Sequence, residues 1–181
     1  METNALADVL DSTIHSGQQI DKLQVDESIR KAVLALLNTV KDPEMPAVSL
    51  VELGMVHKLE VDQGHVHVEL IPTFVGCPAL EIMRRNVEKA MQEFDDIKSV
   101  EVKFVLDVPW SSDRITPEGR EKLKKSGIAP ALRKISVTEA PPCPYCASTD
   151  TKVENVFGPT ACRSMFYCNG CHQPFEGMKH V

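Results

Sequence analysis

The sequence predicts an α+β protein: a small mixed three-stranded sheet with packed helices, ordered α-β-β-α-β-α, plus a C-terminal zinc-ribbon module. Three observations carry that expectation. Apolar and polar residues alternate over His65 to Leu70 and again over Ser99 to Leu106, the period of half-buried strands. Between them Leu80, Met83, Val87, Ala90, Met91 and Phe94 recur at three and four, the period of a helix. Five of the six cysteines lie from Cys143 onward, four of them in two C-x-x-C pairs.

The elements follow in order. Leu6, Val9, Leu10 and Ile14 have roughly helical spacing, but polar residues and Gly17 follow at once, so residues 1–25 read as a flexible arm. Asp26 can cap a helix whose apolar stripe is Ile29, Ala32, Val33, Leu36, Leu37 and Val40. Asp42-Pro43 stops it, because the residue before proline is pushed out of the helical region. Leu50 to Val61 reads as a strand interrupted by Gly54, with Met55, His57, Leu59 and Val61 on its core face. Asp62-Gln63-Gly64 then makes a short turn into an antiparallel hairpin. The third strand follows a helix, which calls for a parallel crossover. Thr116 caps a last short helix with Pro117 at its first position. Three prolines and little periodicity mark residues 128–142 as a linker, leaving 26–127 as the α+β domain and 143–181 as the ribbon.

Composition narrows the function classes. With 43 % hydrophobic and 5 % aromatic residues among 181, the core is expected to be aliphatic. A net charge of -6 argues against electrostatic binding to nucleic acid, which needs a concentrated basic face. Glu2 and Asp8 break any signal-peptide core, and no apolar run approaches the ~20 residues of a membrane span, so a soluble, cytoplasmic protein without a membrane or nucleic-acid partner is expected.

The chemistry concentrates at two places. Cys77 sits in the turn Pro72 to Pro78, and Pro78 at a first helical position would make it the N-cap. Unpaired amides and the positive end of the helix would then lower its thiol pKa and ready it to react or ligate, whereas the plain alternative is a small hydrophobe behind a turn. Cys143, Cys146, Cys168 and Cys171 are spaced to converge four thiolates on one tetrahedral ion, expected to be structural zinc, with a redox or iron site as the alternative; Gly170 supplies backbone freedom to the second knuckle. Cys162 is left over. It reads as buried, with an alternative ligand or a second reactive thiol also open. His65 and His67 share one strand face and could pair on a metal, but the solvent side of a hairpin is the preferred reading. His57 reads as a buried core histidine.

The order of short motifs resembles a known family. Asp42-Pro43-Glu44, Leu53-Gly54-Met55-Val56, Thr73 with Gly76-Cys77-Pro78, and Val108-Pro109-Trp110 are similar to the iron-sulfur cluster assembly domain family that includes the SufT proteins. The continuation through Trp110-Ser111-Ser112-Asp113, Gly127-Ile128-Ala129-Pro130 and the cysteine ribbon resembles the PaaD branch, found with the multicomponent phenylacetyl-CoA monooxygenase (1,2-epoxidase) of phenylacetate catabolism. The resemblance implies that Cys77 is the reactive or cluster-transferring thiol, with Asp42, Glu44, Thr73 and Trp110 as signature residues near it. It implies an accessory, non-enzymatic role in assembling or delivering an iron-sulfur cluster, carried transiently, to the oxygenase's iron-sulfur reductase component. Phe74 and Val75 stand where the family has more polar residues beside the cysteine.

One cysteine cannot hold a cluster alone, so further ligands would come from a second copy in a homodimer, a partner or a small thiol. The competing class is a cysteine-dependent enzyme or thiol redox protein using Cys77, which requires a low thiol pKa. A ribbon that binds nucleic acid is the weakest reading.

Overall fold

Val33 and Leu37, neither with any exposed surface, line one face of a 13-residue helix, α1 (Glu27–Thr39), and Val40 is buried just past its end. The structure, a computed structural model, describes residues 27–62, 64–132 and 140–179; the arm at 1–25 and the Asp26 cap lie outside the described residues.

The strand expected from Leu50 begins later. Residues 50–54 form a helical turn, with the Leu53 amide donating to Ser49 O at 2.9 Å, and β1 runs Val56–Asp62. Its cause lies at Ser49 and Glu52. Ser49 Oγ accepts from the Glu52 amide at 3.0 Å while Glu52 Oε2 accepts from the Ser49 amide at 2.9 Å, a reciprocal capping box that starts a helical turn. Gly54, with φ 66°, ends it. A register shift between Val56 and Lys58 then leaves His57 half-buried at a bulge, not in the core row expected for it.

Strand β2 (His65–Leu70) pairs antiparallel with β1, and β3 (Ser99–Phe104) lies parallel to β2 from His65↔Ser99 to Leu70↔Phe104. Helix α2 (Leu80–Gln92) makes the crossover and buries Met83, Val87 and Met91. The sheet order β1-β2-β3 is the mixed three-stranded arrangement the periodicities predict. Helix α3 (Pro117–Lys125) starts as expected, with Thr116 accepting from the Gly119 amide at 3.0 Å. Lys122 on α3 pairs with the buried carboxylate of Glu52 and Lys41 lies 3.8 Å from it. Burial pushes the Glu52 carboxyl up, but Lys122, the Ser49 amide and Lys41 outweigh it and hold it below the ordinary range.

The linker reading of residues 128–142 is corrected at its start. Ile128–Ala129 is a strand, β4, in a second sheet of order β4-β7-β6-β5 with β5 (Thr151–Asn155), β6 (Arg163–Cys168) and β7 (Pro174–Met178). Ile128 pairs with Glu176 and Ala129 with Gly177, a non-local pairing that no local period announces. Ile128, Ala131, Cys162 and Met178 join the main core, while Ala129 packs with Cys143, Phe166, Cys168 and Phe175 in the ribbon's own small core. The ribbon is therefore docked on the domain through apolar contact. Among the described residues, no helix is long and apolar enough to cross a membrane.

Candidate functional site

The chain leaves β2 at Leu70 and turns before α2, and Cys77 lies in that turn, its amide donating to Phe74 O at 3.1 Å. The expected N-cap is corrected. The first helical bond runs from the Met83 amide to Ala79 O at 3.0 Å, so Ala79 is the cap and Cys77 lies two residues outside the helix. Its sulfur still accepts the Ala79 amide at 3.4 Å, supplying the one hydrogen bond that Phe74 and Val75 lack the side chains to give.

The expected low thiol pKa is corrected too. Partial burial pushes the Cys77 thiol up, the Ala79 amide opposes it, and the negative charges of Glu44 and Asp42, with the Cys162 sulfur, push it further up. The thiolate is the form that is alkylated, so Cys77 in the folded chain should react with iodoacetamide more slowly at pH 7 than free cysteine. Its rate should climb as pH rises past the ordinary thiol range. A rate at pH 7 above that of free cysteine would contradict this environment.

The loop after α1 supplies the carboxylates. Asp42 is buried and its Oδ1 accepts the Glu44 amide at 2.7 Å and the Met45 amide at 3.1 Å, which fixes the loop. Burial nevertheless holds the Asp42 carboxyl above its ordinary value, against those bonds and the charge of Arg163. Glu44 is half-buried. Its carbonyl accepts Arg163 Nη2 at 3.1 Å, and its Oε2 lies 3.8 Å from Cys162 Sγ. Thr73 is buried beside a cavity of ≈ 200 Å³ between residues 72–75 and 106–110. Trp110 walls the same cavity and donates Nε1 to Leu53 O at 2.8 Å, so it anchors the 50–54 turn.

Cys162 is the residue whose place the sequence concealed. It is 5 % exposed and packs into the main core, not into the ribbon's. Its only signal was negative, a cysteine outside both knuckles.

The ribbon cysteines come together as expected. The four Sγ atoms lie within 4.8 Å of one another, with Cys143 to Cys171 at 3.7 Å and Cys146 to Cys168 at 3.6 Å. Tetrahedral zinc with Zn–S of about 2.3 Å would hold its sulfurs about 3.8 Å apart, so the donor set fits such an ion. Each knuckle closes by the same bond: the Ala147 amide to Cys143 O and the His172 amide to Cys168 O, both 2.9 Å. The left-handed residues are Ala147 (φ 59°) and His172 (φ 58°), not Gly170, whose missing side chain instead makes room for Ser148. Amide donation from Cys171 leads the factors that bring the Cys168 thiol down to about 7, while burial and the neighbouring thiols push Cys171 up to about 12. Four adjacent thiolates need a cation among them.

The histidine readings resolve toward the surface. His65 Nδ1 meets Ser99 Oγ at 2.7 Å, and His67 sits between Glu101 at 2.9 Å and Glu69 at 3.4 Å. Among the described residues, the four ribbon cysteines form the one group of three or more ligating side chains close enough for a single ion.

Residues 30–104 match an iron-sulfur cluster assembly protein domain and residues 128–179 the PaaD zinc beta ribbon domain. An Escherichia coli protein described as a putative 1,2-phenylacetyl-CoA epoxidase subunit is 36 % identical over 153 residues, 82 % of this chain and 92 % of its own length. The Fe-S protein maturation auxiliary factor YitW of Bacillus subtilis is 31 % identical over 93 residues, 51 % of this chain and 90 % of its own. A crystal structure of a domain of unknown function from Bacillus anthracis superposes with a TM-score of 0.51 at 27 % identity, covering 54 % of this chain and 92 % of that one. An assembly domain and a zinc ribbon in sequence, with homology that spans nearly the whole E. coli protein, show that this chain belongs to the PaaD family.

Proposed function

We propose that this chain is a non-enzymatic maturation factor of a phenylacetyl-CoA epoxidase system, passing iron or an iron-sulfur cluster through Cys77 to the system's iron-sulfur reductase component. The observation that carries the reading is the setting of Cys77. It lies in a strand-to-helix turn, within electrostatic reach of two carboxylates and a second sulfur, in a domain similar to one named an Fe-S protein maturation factor. Negative neighbours oppose a bare thiolate but favour a thiolate bound to a cation, so the setting suits metal cargo better than nucleophilic catalysis. In this reading Asp42 and Glu44 shape the cargo's surroundings, Thr73 and Trp110 hold the turns beside it, and zinc closes the ribbon through Cys143, Cys146, Cys168 and Cys171.

Cys77→Ser tests the proposal. The variant is expected to keep the circular dichroism and ribbon metal of the parent while the reductase co-produced with it loses most of its cluster iron. Full iron content in that reductase would reject the proposal.

A further inference from the structure

The main core contains one thiol that the ribbon contributes and its four-cysteine centre does not use. Cys162 stands at the entry to β6, held there by the Lys179 amide donating to its carbonyl at 2.8 Å and by Thr160 Oγ1 at 3.3 Å from its sulfur. Next to it Arg163 pairs with Glu176, donates Nε to Thr160 Oγ1 at 2.8 Å and binds the Glu44 carbonyl. These contacts lock the start of β6 onto the Asp42–Met45 loop. They aim the Cys162 thiol at Glu44 Oε2, 3.8 Å away, and Cys77 packs against the same core cluster from its own turn.

Resting on the reading of Cys77 as the thiol that meets the cargo, we infer that Cys77, Cys162 and Glu44, which do not yet stand close enough to share an ion, are drawn together by a single iron atom, either a ferrous ion or the exposed iron of a cluster, into one open site. Two thiolates and a carboxylate are donors suited to iron, and three chain segments supply them, with Glu44 and Cys162 118 residues apart in sequence. Each thiol gives its proton to solvent as its Fe–S bond forms, and the iron keeps its oxidation state. Arg163 does not neutralise the site outright, because its guanidinium is paired with Glu176. Burial and the charges of Glu44 and Asp42 also hold the Cys162 thiol up, as they do Cys77, so both sulfurs gain from a cation.

The site differs from the ribbon centre in one respect that matters. Among the described residues only the ribbon quartet is already closed to within 4.8 Å, the arrangement of an ion that stays. A site whose ligands must be drawn together by the cargo, with a coordination position left for a client ligand, suits an ion that leaves. It also places the second thiol in the same chain, so a second copy is not needed to provide it.

The test uses the full chain with zinc in its ribbon, without oxygen, and two probes: ferrous ion alone, and a glutathione-ligated [2Fe–2S] cluster. Cys77→Ser and Cys162→Ser are each expected to weaken binding of the true cargo by about 100-fold, and Glu44→Gln by about tenfold. An effect confined to one probe assigns the cargo to that source and supports the site. Wild-type affinity in Cys162→Ser, with loss in Cys77→Ser alone, would overturn the inference while leaving the proposed function standing. Failure of the parent chain to bind either probe would overturn it as well. X-ray absorption at the iron edge needs no variant: the ferrous complex of the parent chain is expected to show two sulfur ligands per iron, and one or none would overturn the site even if Cys162→Ser did not fold.

Discussion

Cys168→Ser is expected to strip the ribbon of its metal and unfold residues 140–179, the largest effect of any single substitution considered. The ribbon's own core is Ala129, Cys143, Phe166, Cys168 and Phe175, with one stacked aromatic pair whose ring centroids are 5.4 Å apart. So small a core cannot offset the conformational entropy of the chain it orders. In modules of this kind the bound ion supplies an apparent folding energy on the order of 10 kcal/mol, and Cys168 has no exposed surface from which its loss could be relieved by solvent. The damage should reach the main core, because Cys162 and Met178 pack there. Elemental analysis should find about one equivalent of metal missing, and limited proteolysis should cut within the ribbon. A strong chelator should do the same to the parent chain. Retained metal with an unchanged proteolysis pattern would refute the dependence.

Gly54→Ala should destabilise the α+β domain by about 4 kcal/mol, from two causes that act together. Gly54 has φ 66°, where a side chain is strained, and an added Cβ would fall 2.2 Å from the Arg114 carbonyl oxygen and 2.4 Å from Arg114 Cβ. Neither neighbour can yield easily. Arg114 is tied back to the same segment, donating Nε to Gly54 O at 2.7 Å and Nη2 to Val56 O at 3.0 Å. Against a total stability of about 5–15 kcal/mol the loss would be a large fraction, read as a drop in the urea midpoint. An unchanged midpoint would refute the predicted clash.

The two substitutions also mark where local reasoning holds and where it ends. The ribbon ligands could be read from spacing, because two C-x-x-C pairs constrain their own geometry whatever surrounds them. The turn at 50–54 could have been read as well: Ser49-x-x-Glu52 followed by Gly54 is a helix start and stop, and the apolar residues Leu50, Val51 and Leu53 hid it by looking like a strand. The elevated Cys77 thiol could not. Pro78 suggested a helix start that would lower it, but the turn runs two residues longer, partial burial raises it, and the carboxylates that add to the rise come from the loop after α1.

Periodicity and spacing were thus sufficient for the three-stranded mixed sheet, its crossover helix, the capped helix at Thr116 and the four-cysteine centre. Each of these depends on residues that are near one another in sequence or repeat at a set interval. Tertiary structure decided the rest: the pairing of Ile128–Ala129 with β7, the burial of Glu52 against Lys122, and the meeting of Cys162 with Glu44 across 118 residues. Those contacts arise where segments distant in sequence bury apolar area against each other. No interval in the chain encodes which polar groups such burial will bring face to face.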